Sequence, residues 1–425
     1  MNVSQRVLYN TVAQIAGKVA LLVASLGTLR LATSYLGVDG FGEYAIVLSL
    51  APILLVFADL GFSTLLAREL AQSPERRDEL AATLFPLRLA ASGAVVLACL
   101  AVVPFLPYDF HVRAGLVIAC VGVSLLSIGT FATPFFQVGL RLDLLALLDV
   151  GTAALNLGLF AAVTQLDLGF YALVGVSAVV GVANLAFAWI LVRPFWRPSL
   201  RFDKQLARRL VADGLPLAAV IVLGLLHFRL DAVLLSLMRP SEDVGVYTVA
   251  FRFLEQSLVL PVVFMAAVFP LLAVAVRSGD AADVVRKAFN FLLLMALPLA
   301  LGLAVLAGPL VTLVAGDGFQ DAVTPLRILT PALVFAFVSS VFSAVLIALN
   351  RQRALILASL SGLALNLVLN LWAIPRFGYT GAAATTVVSE AVGLCVVFAL
   401  ARRACDFRLS PRLVTRADVA LLLGR

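Results

Sequence analysis

Charge is what this chain has least of. Lys, Arg, Asp and Glu together make up 13% of its 425 residues, about half of the ~25% with which a soluble domain covers itself. A water-solvated globule is thereby excluded. Cysteine is also scarce. Cys99, Cys120 and Cys395 lie inside apolar runs and Cys405 in a basic tail, with no C-x-x-C spacing, so neither a disulfide frame nor a zinc site is indicated. Phosphate-loop, H-E-x-x-H and G-x-S-x-G motifs are missing, which removes the warrant for a nucleotide hydrolase, a zinc hydrolase or a serine hydrolase. A long loop with paired carboxylates, expected of a membrane glycosyltransferase, is missing too.

What is present is hydrocarbon: 62% of the residues are hydrophobic and mean hydropathy is +1.08. Crossing ~30 Å of lipid takes about 20 helical residues. Twelve stretches qualify: 11–35, 43–67, 80–103, 112–137, 142–165, 168–192, 212–237, 244–274, 288–314, 324–349, 353–374 and 379–401. The first carries Gln14 and Lys18 and reads as a retained span rather than a cleaved signal. Turn residues separate the spans, as in Gly37-Val-Asp-Gly40, Gln72-Ser-Pro74, Arg239-Pro-Ser-Glu242 and Gly316-Asp-Gly318. One connection is long: residues 193–211 are basic and carry Phe195, Trp196 and Phe202, which suits an interfacial linker. The expected organisation is a six-helix lobe over 1–192, a cytoplasmic linker over 193–211, a second six-helix lobe over 212–402 and a cytoplasmic tail over 403–425.

Orientation follows from where the cations fall, because cytoplasmic loops concentrate Lys and Arg. With the N-terminus inside, inside segments hold 22 of the 31 Lys and Arg, while outside loops hold only Arg113, Arg239 and Arg376. The expectation is a multi-pass inner-membrane protein with both termini cytoplasmic. The same placement accounts for the net charge of +7 through anionic headgroups, without nucleic acid as a partner.

The halves repeat. Phe41-Gly-Glu-Tyr44 recurs as Val244-Gly-Val-Tyr247, 203 positions on. Leu155-Asn-Leu157 followed by Gly169 recurs as Leu365-Asn-Leu367 followed by Gly378, about 210 positions on. Six helices per unit is an even number, so the repeats run parallel about an axis along the membrane normal, one of the two plans used by secondary transporters.

Ionisable residues inside the spans are the candidates for chemistry: Lys18, Arg30, Asp59, Arg88, His227, Arg229, Asp231, Arg252, Glu255, Arg327 and Glu390. Each mid-membrane charge costs about 2.5–3.5 kcal/mol on insertion scales, so lipid-facing placement would be wasteful. Bland readings stand beside the functional ones. Arg30, Arg88 and Arg327 lie near span ends, where side chains snorkel to headgroups. Arg252 and Glu255 are i, i+3 and can pair with each other. His227 suits a hydrogen-bonded structural histidine as well as a proton carrier. Arg229 and Asp231 point about 200° apart on one helix, so Arg229 needs its counter-charge from another helix or a ligand. Asp59 has no basic residue within a turn. Prolines within spans, such as Pro52 and Pro261, kink helices and free carbonyls, or simply pack.

Several stretches carry a family resemblance. They are Tyr35-Leu-Gly-Val-Asp-Gly-Phe-Gly-Glu-Tyr44, Ala58-Asp-Leu-Gly-Phe-Ser63, Arg68-Glu-Leu70, Gly214-Leu-Pro-Leu217, Arg229-Leu-Asp231, Gly245-Val-Tyr247, Arg252-Phe-Leu-Glu255 and Phe269-Pro270. Together the chain resembles bacterial polysaccharide (O-antigen type) flippases, which share a superfamily with multidrug/toxin exporters and the lipid II flippase. The resemblance implies an all-α fold of two six-helix lobes in a V and no enzymatic activity. It also implies alternating-access movement of an undecaprenyl-diphosphate-linked oligosaccharide, with membrane lipids and polysaccharide polymerase machinery as partners. On this reading Arg30, Arg88, Arg229 and Arg252 hold the diphosphate. Asp59, Asp231, Glu255 and Glu390 are counter-charges or sites for a coupling Na+ or H+, with no other cofactor. Many relatives have fourteen spans, two more than here. A multidrug exporter and a non-transporting assembly protein are the competing readings. The in-span excess of basic over acidic charge argues against the first, and an assembly protein has no reason to place Arg229 and Asp59 within spans. The loop ARELAQSPERRDEL lacks the pattern of major-facilitator carriers.

The topology is tested by reporter fusions. Those after Lys204, Arg277 and Arg403 should report cytoplasm, and those after Asp39, Glu242 and Asp317 the exterior. An exterior signal at Lys204 overturns both the orientation and the parallel repeat.

Overall fold

The computed structural model describes residues 3–196, 202–278 and 281–405. Part of the 193–211 linker and residues 406–425 of the tail lie outside the described residues. Every regular element among the described residues is helical, as sustained apolar runs in lipid require, since a helix satisfies its own backbone hydrogen bonds. The chain divides into two compact units, Met1–Arg229 and Leu230–Arg425.

The first unit contains α1 (Val3–Asp59), α2 (Phe62–Gln72), α3 (Arg77–Val102), α4 (Phe110–Gly129), α5 (Thr133–Val138), α6 (Leu142–Gln165), α7 (Gly169–Val192) and the larger part of α8 (Lys204–Met238). The second contains the end of α8, then α9 (Ser241–Ser257), α10 (Val259–Ser278), α11 (Ala281–Val305), α12 (Ala307–Ala315), α13 (Val323–Ala348) and α14 (Gln352–Ala404). Ten described helical segments are long and apolar enough to cross a membrane. Two of them hold two spans each. At 1.5 Å per residue a 57-residue helix such as α1 would be about 85 Å long, far beyond the bilayer. Its helical geometry breaks at Gly37 (φ 67°), and α14 breaks in the same way at Gly378 (φ 55°). Positive φ at both points is why glycine stands there.

Packing inside the first unit follows two modes. Close approach of α4 and α7 depends on small residues, as is usual between membrane helices. A Cβ on Gly181 would lie 2.6 Å from the Gly122 carbonyl oxygen, and one on Gly122 would lie 2.7 Å from the Ser177 backbone. The second mode is aromatic. Phe62, Leu65, Leu80, Phe131, Phe135 and Trp196 form one buried cluster with Leu206 and Leu210 of α8, and Phe135 stacks on Trp196 at 5.7 Å. The helix that follows the linker therefore starts in the core of the first unit.

The repeat read from the sequence is present in backbone detail. Leu140 and Asn350, 210 positions apart, are both left-handed, at φ 51° and 57°. Arg141 N–H donates to Phe136 O and Arg351 N–H to Leu346 O, each at 2.8 Å. Leu144 N–H donates to Arg141 O and Ala354 N–H to Arg351 O, each at 3.1 Å. The turn after α5 and the turn after α13 are the same structure built twice.

Candidate functional site

Each unit has its own buried polar centre. In the first, α1 ends at Asp59, the chain turns through Leu60 (φ 48°) and Gly61 (φ 71°), and α2 begins at Phe62. Arg88 of α3 bridges this break. Its Nη1 lies 2.6 Å from Asp59 Oδ1 and donates to Ser63 Oγ at 2.7 Å, while its Nη2 donates to Thr130 Oγ1 at 2.8 Å. Ser63 Oγ in turn donates to Asp59 Oδ1 at 2.7 Å. Arg88 is 1% exposed and sits near the Phe131 ring. Its position corrects two expectations. It does not snorkel to headgroups, and its charge is committed to Asp59, which was without a visible partner in the sequence because the two are 29 positions apart.

The centre of the second unit is built around Asp231, near the end of α8 and 2% exposed. Tyr247 Oη donates to Asp231 Oδ2 at 2.9 Å, and Thr386 Oγ1 lies 2.6 Å from the same oxygen. Asn370 Nδ2 lies 2.6 Å from Oδ1 and 3.0 Å from Asn366 Oδ1, and Asn366 also bonds to Asp231. Thr385 Oγ1 donates to Asn370 Oδ1 at 2.6 Å. Among the described residues no cationic nitrogen lies within 4.0 Å of Asp231. An ionised carboxylate cannot be left so deep without compensation.

The Thr386 hydroxyl is shared. Thr386 has one hydroxyl hydrogen but faces two acceptors, Asp231 Oδ2 at 2.6 Å and Ala382 O at 2.9 Å, with Tyr247 Oη a further 3.2 Å away. Thr386 Oγ1 thus sits between the carboxylate and the carbonyl one turn back, which Thr385 Oγ1 also approaches at 2.8 Å. The donors suit a hard monovalent cation: one carboxylate, two amide oxygens once the side chains turn, hydroxyls and a backbone carbonyl. A divalent ion would leave net charge in a buried site.

The other sequence candidates differ in exposure and pairing. Arg30 is exposed on α1. Arg252 and Glu255 form an i, i+3 pair at 3.0 Å, 25% and 32% exposed. Arg229 and Glu390 are half-buried, in the first and second units respectively. Asp149, in α6, escaped the sequence reading although it lies within a span and interacts electrostatically with Lys18. Both are exposed, and α1 and α6 meet beside them, where Gly17 faces Ala146 and Val150. Asn366 and Tyr247 were visible only as repeat markers, and Asn370 and Thr386 not at all. Neutral polar residues raise no alarm in a hydropathy profile. A surface cavity of about 890 Å³, lined by residues such as Arg76, Arg193 and Trp196, contains none of the in-span candidates.

A family model described as polysaccharide biosynthesis protein matches residues 3–276, more than half the chain. The chain belongs to this family. A MatE family model also matches residues 216–372. A probable low-salt glycan biosynthesis flippase of Haloferax volcanii is 24% identical over 172 residues, which span 40% of this chain and 36% of that protein. The fold is similar to that of the lipid II flippase MurJ in an inward closed conformation, with TM-score 0.77, 13% identity, and 98% of this chain and 90% of that one covered. It is also similar to an inward-facing multidrug resistance MATE family transporter of the MOP superfamily, with TM-score 0.67, 18% identity, and 90% and 94% covered. These proteins are flippases and transporters rather than enzymes, and the all-α membrane fold expected from the sequence is theirs.

The Arg88 bridge is tested by a double-mutant cycle on thermal unfolding in detergent. Removing one partner of a buried ion pair costs about 3–5 kcal/mol, whereas replacing both with apolar residues of similar size is nearly neutral. Arg88→Met alone should unfold far below the wild type, and adding Asp59→Leu should recover most of the loss. Equal stability of Arg88→Met and the wild type contradicts the bridging role.

Proposed function

We propose that the protein moves an undecaprenyl-diphosphate-linked oligosaccharide from the inner to the outer leaflet by alternating access, coupled to a monovalent cation at Asp231. The observation that carries the reading is a carboxylate 2% exposed and ringed by hydroxyls and amides, with no cationic partner among the described residues, inside the fold of a polysaccharide biosynthesis family. A permanent structural carboxylate would have a permanent counter-charge, as Asp59 has in Arg88. A carboxylate surrounded by hydroxyls and amides suits an ion that arrives and leaves. Family membership, the fold shared with flippases and the glycan flippase relative support the substrate class.

The diphosphate is the part of such a substrate that hydrocarbon rejects most strongly, and arginine holds it through charge-assisted, often bidentate bonds. Arg30, Arg229 and Arg252 are the proposed contacts. Arg88 is omitted because its charge is already engaged. In Arg252 the Glu255 partner is a neighbour on the same helix and partly exposed, so a doubly charged ligand can compete for it. Coupled release follows the same electrostatics: a cation bound at Asp231 removes the cost of burying that carboxylate, and its departure restores the cost. A polymerase consuming the exported unit is the expected partner.

The test is genetic, then quantitative. Deletion should leave the lipid-linked oligosaccharide in the cytoplasmic leaflet and the surface polysaccharide absent. Losing one charge-assisted contact costs about 1.5–3 kcal/mol, so Arg252→Ala should weaken binding of the lipid diphosphate roughly tenfold to a hundredfold. Arg252→Lys keeps the charge but not the fork, and should lose less. Normal surface glycan after deletion would show the substrate class to be wrong, with drug accumulation then the next phenotype to measure.

A further inference from the structure

The repeat carries the Asp231 centre a second time, altered. Position 28 corresponds to Asp231 at the spacing of 203 that relates Tyr44 to Tyr247, and it holds Thr28. Asn156 corresponds to Asn366 at the spacing of 210, and Phe160 to Asn370. Ser177 corresponds to Thr386 at 209, the spacing between Gly169 and Gly378, two glycines that share a positive φ.

For Thr28, Asn156, Tyr44 and Phe160 these are equivalent places in the fold and not only along the sequence. Thr28 Oγ1 lies 3.4 Å from Asn156 Oδ1, as Asp231 meets Asn366 in the other unit. Tyr44 meets the edge of the Phe160 ring, centroids 6.1 Å apart, where Tyr247 belongs to the network completed by Asn370. Phe160 is 2% exposed and Tyr44 8%. The first unit thus keeps a tyrosine, an asparagine and a hydroxyl. It lacks the carboxylate and the second amide.

Those two differences remove what a cation needs. Thr28 has no charge to offset the desolvation of an ion. The Phe160 ring fills the place of an amide that would offer an oxygen. Neither change disturbs packing, because a neutral centre closed by an aromatic ring has no buried charge to compensate.

We propose that the two halves are a loaded copy and an ion-free copy of one site. Each chain therefore takes a single monovalent cation, in the second unit, and Thr28 and Phe160 are the positions that keep the first unit empty. The proposal rests on the coupling-ion reading above and adds its stoichiometry and determinants.

The experiment measures 22Na+ binding to purified full-length protein in detergent, at saturating sodium in a choline background. One ion per chain is expected for the wild type and none for Asp231→Asn. The Thr28→Asp, Phe160→Asn double variant should bind a second ion, and melting confirms that it is folded. Two ions per wild-type chain, or one ion surviving Asp231→Asn, overturns the asymmetry while leaving the coupling ion in place. A folded double variant that still binds one ion overturns the assignment of Thr28 and Phe160. No sodium bound to the wild type refutes the coupling-ion reading itself in its sodium form. Adding Phe160→Asn alone to Asp231→Asn controls for the amide: it should bind none, and binding there also contradicts the proposal.

Discussion

A charge within a membrane-spanning helix finds its opposite inside the protein or pays for its isolation, because hydrocarbon solvates nothing. The polar architecture of this chain can be ordered by how each charge meets that demand. Arg88 meets it permanently, through Asp59 and two hydroxyls, and in doing so ties the break between α1 and α2 to α3 and to Thr130 just beyond α4. Arg252 meets it with Glu255 on its own helix, in partly exposed surroundings. Asp231, among the described residues, meets it with hydroxyls and amides. The three charged sites therefore differ in what can be exchanged at them.

The division of labour also explains why the two units share a backbone and differ at their centres. The turn after α5 and its counterpart after α13 share hydrogen bonds of 2.8 and 3.1 Å at equivalent places, so that stretch of backbone is under the same constraint in both. Charge is not. The first unit fixes its charged pair at a helix break, where it stiffens the fold. The second keeps its carboxylate on α8, a helix whose first turns are buried in the core of the first unit. Any local adjustment of α8 about Asp231 thus occurs on an element that both units share.

Much of the fold was legible in the sequence, because lipid imposes a simple rule of length and hydropathy. The turns at Gly37, Gly169, Gly316 and Gly378 fall at positive φ and lie at or beside the expected span ends, whereas the break at Gly61, also at positive φ, interrupts what reads as one span over 43–67. The repeat was legible from Tyr44 and Tyr247 and from Asn156 and Asn366. The candidate site was legible only in part. Asp231 stood out as a charge in an apolar run, but Asn370 and Thr386 did not, because neutral polar residues within spans are common. Arg88 and Asp59 were each visible and their pairing was not, since sequence spacing reports neighbours along one helix and says little of neighbours across three. Asp149 was missed beside Lys18 for the same reason.

The central claim is that Asp231 is where a cation exerts its effect on transport. The direct measurement is translocation of a fluorescent lipid-linked oligosaccharide in proteoliposomes, with and without an imposed sodium gradient, for the wild type and Asp231→Asn. Asparagine keeps the side-chain shape and removes the charge. The account predicts that the gradient accelerates wild-type translocation and has no effect on the variant, which should melt within a few degrees of the wild type. A variant that melts normally and responds to the gradient as the wild type does would contradict it.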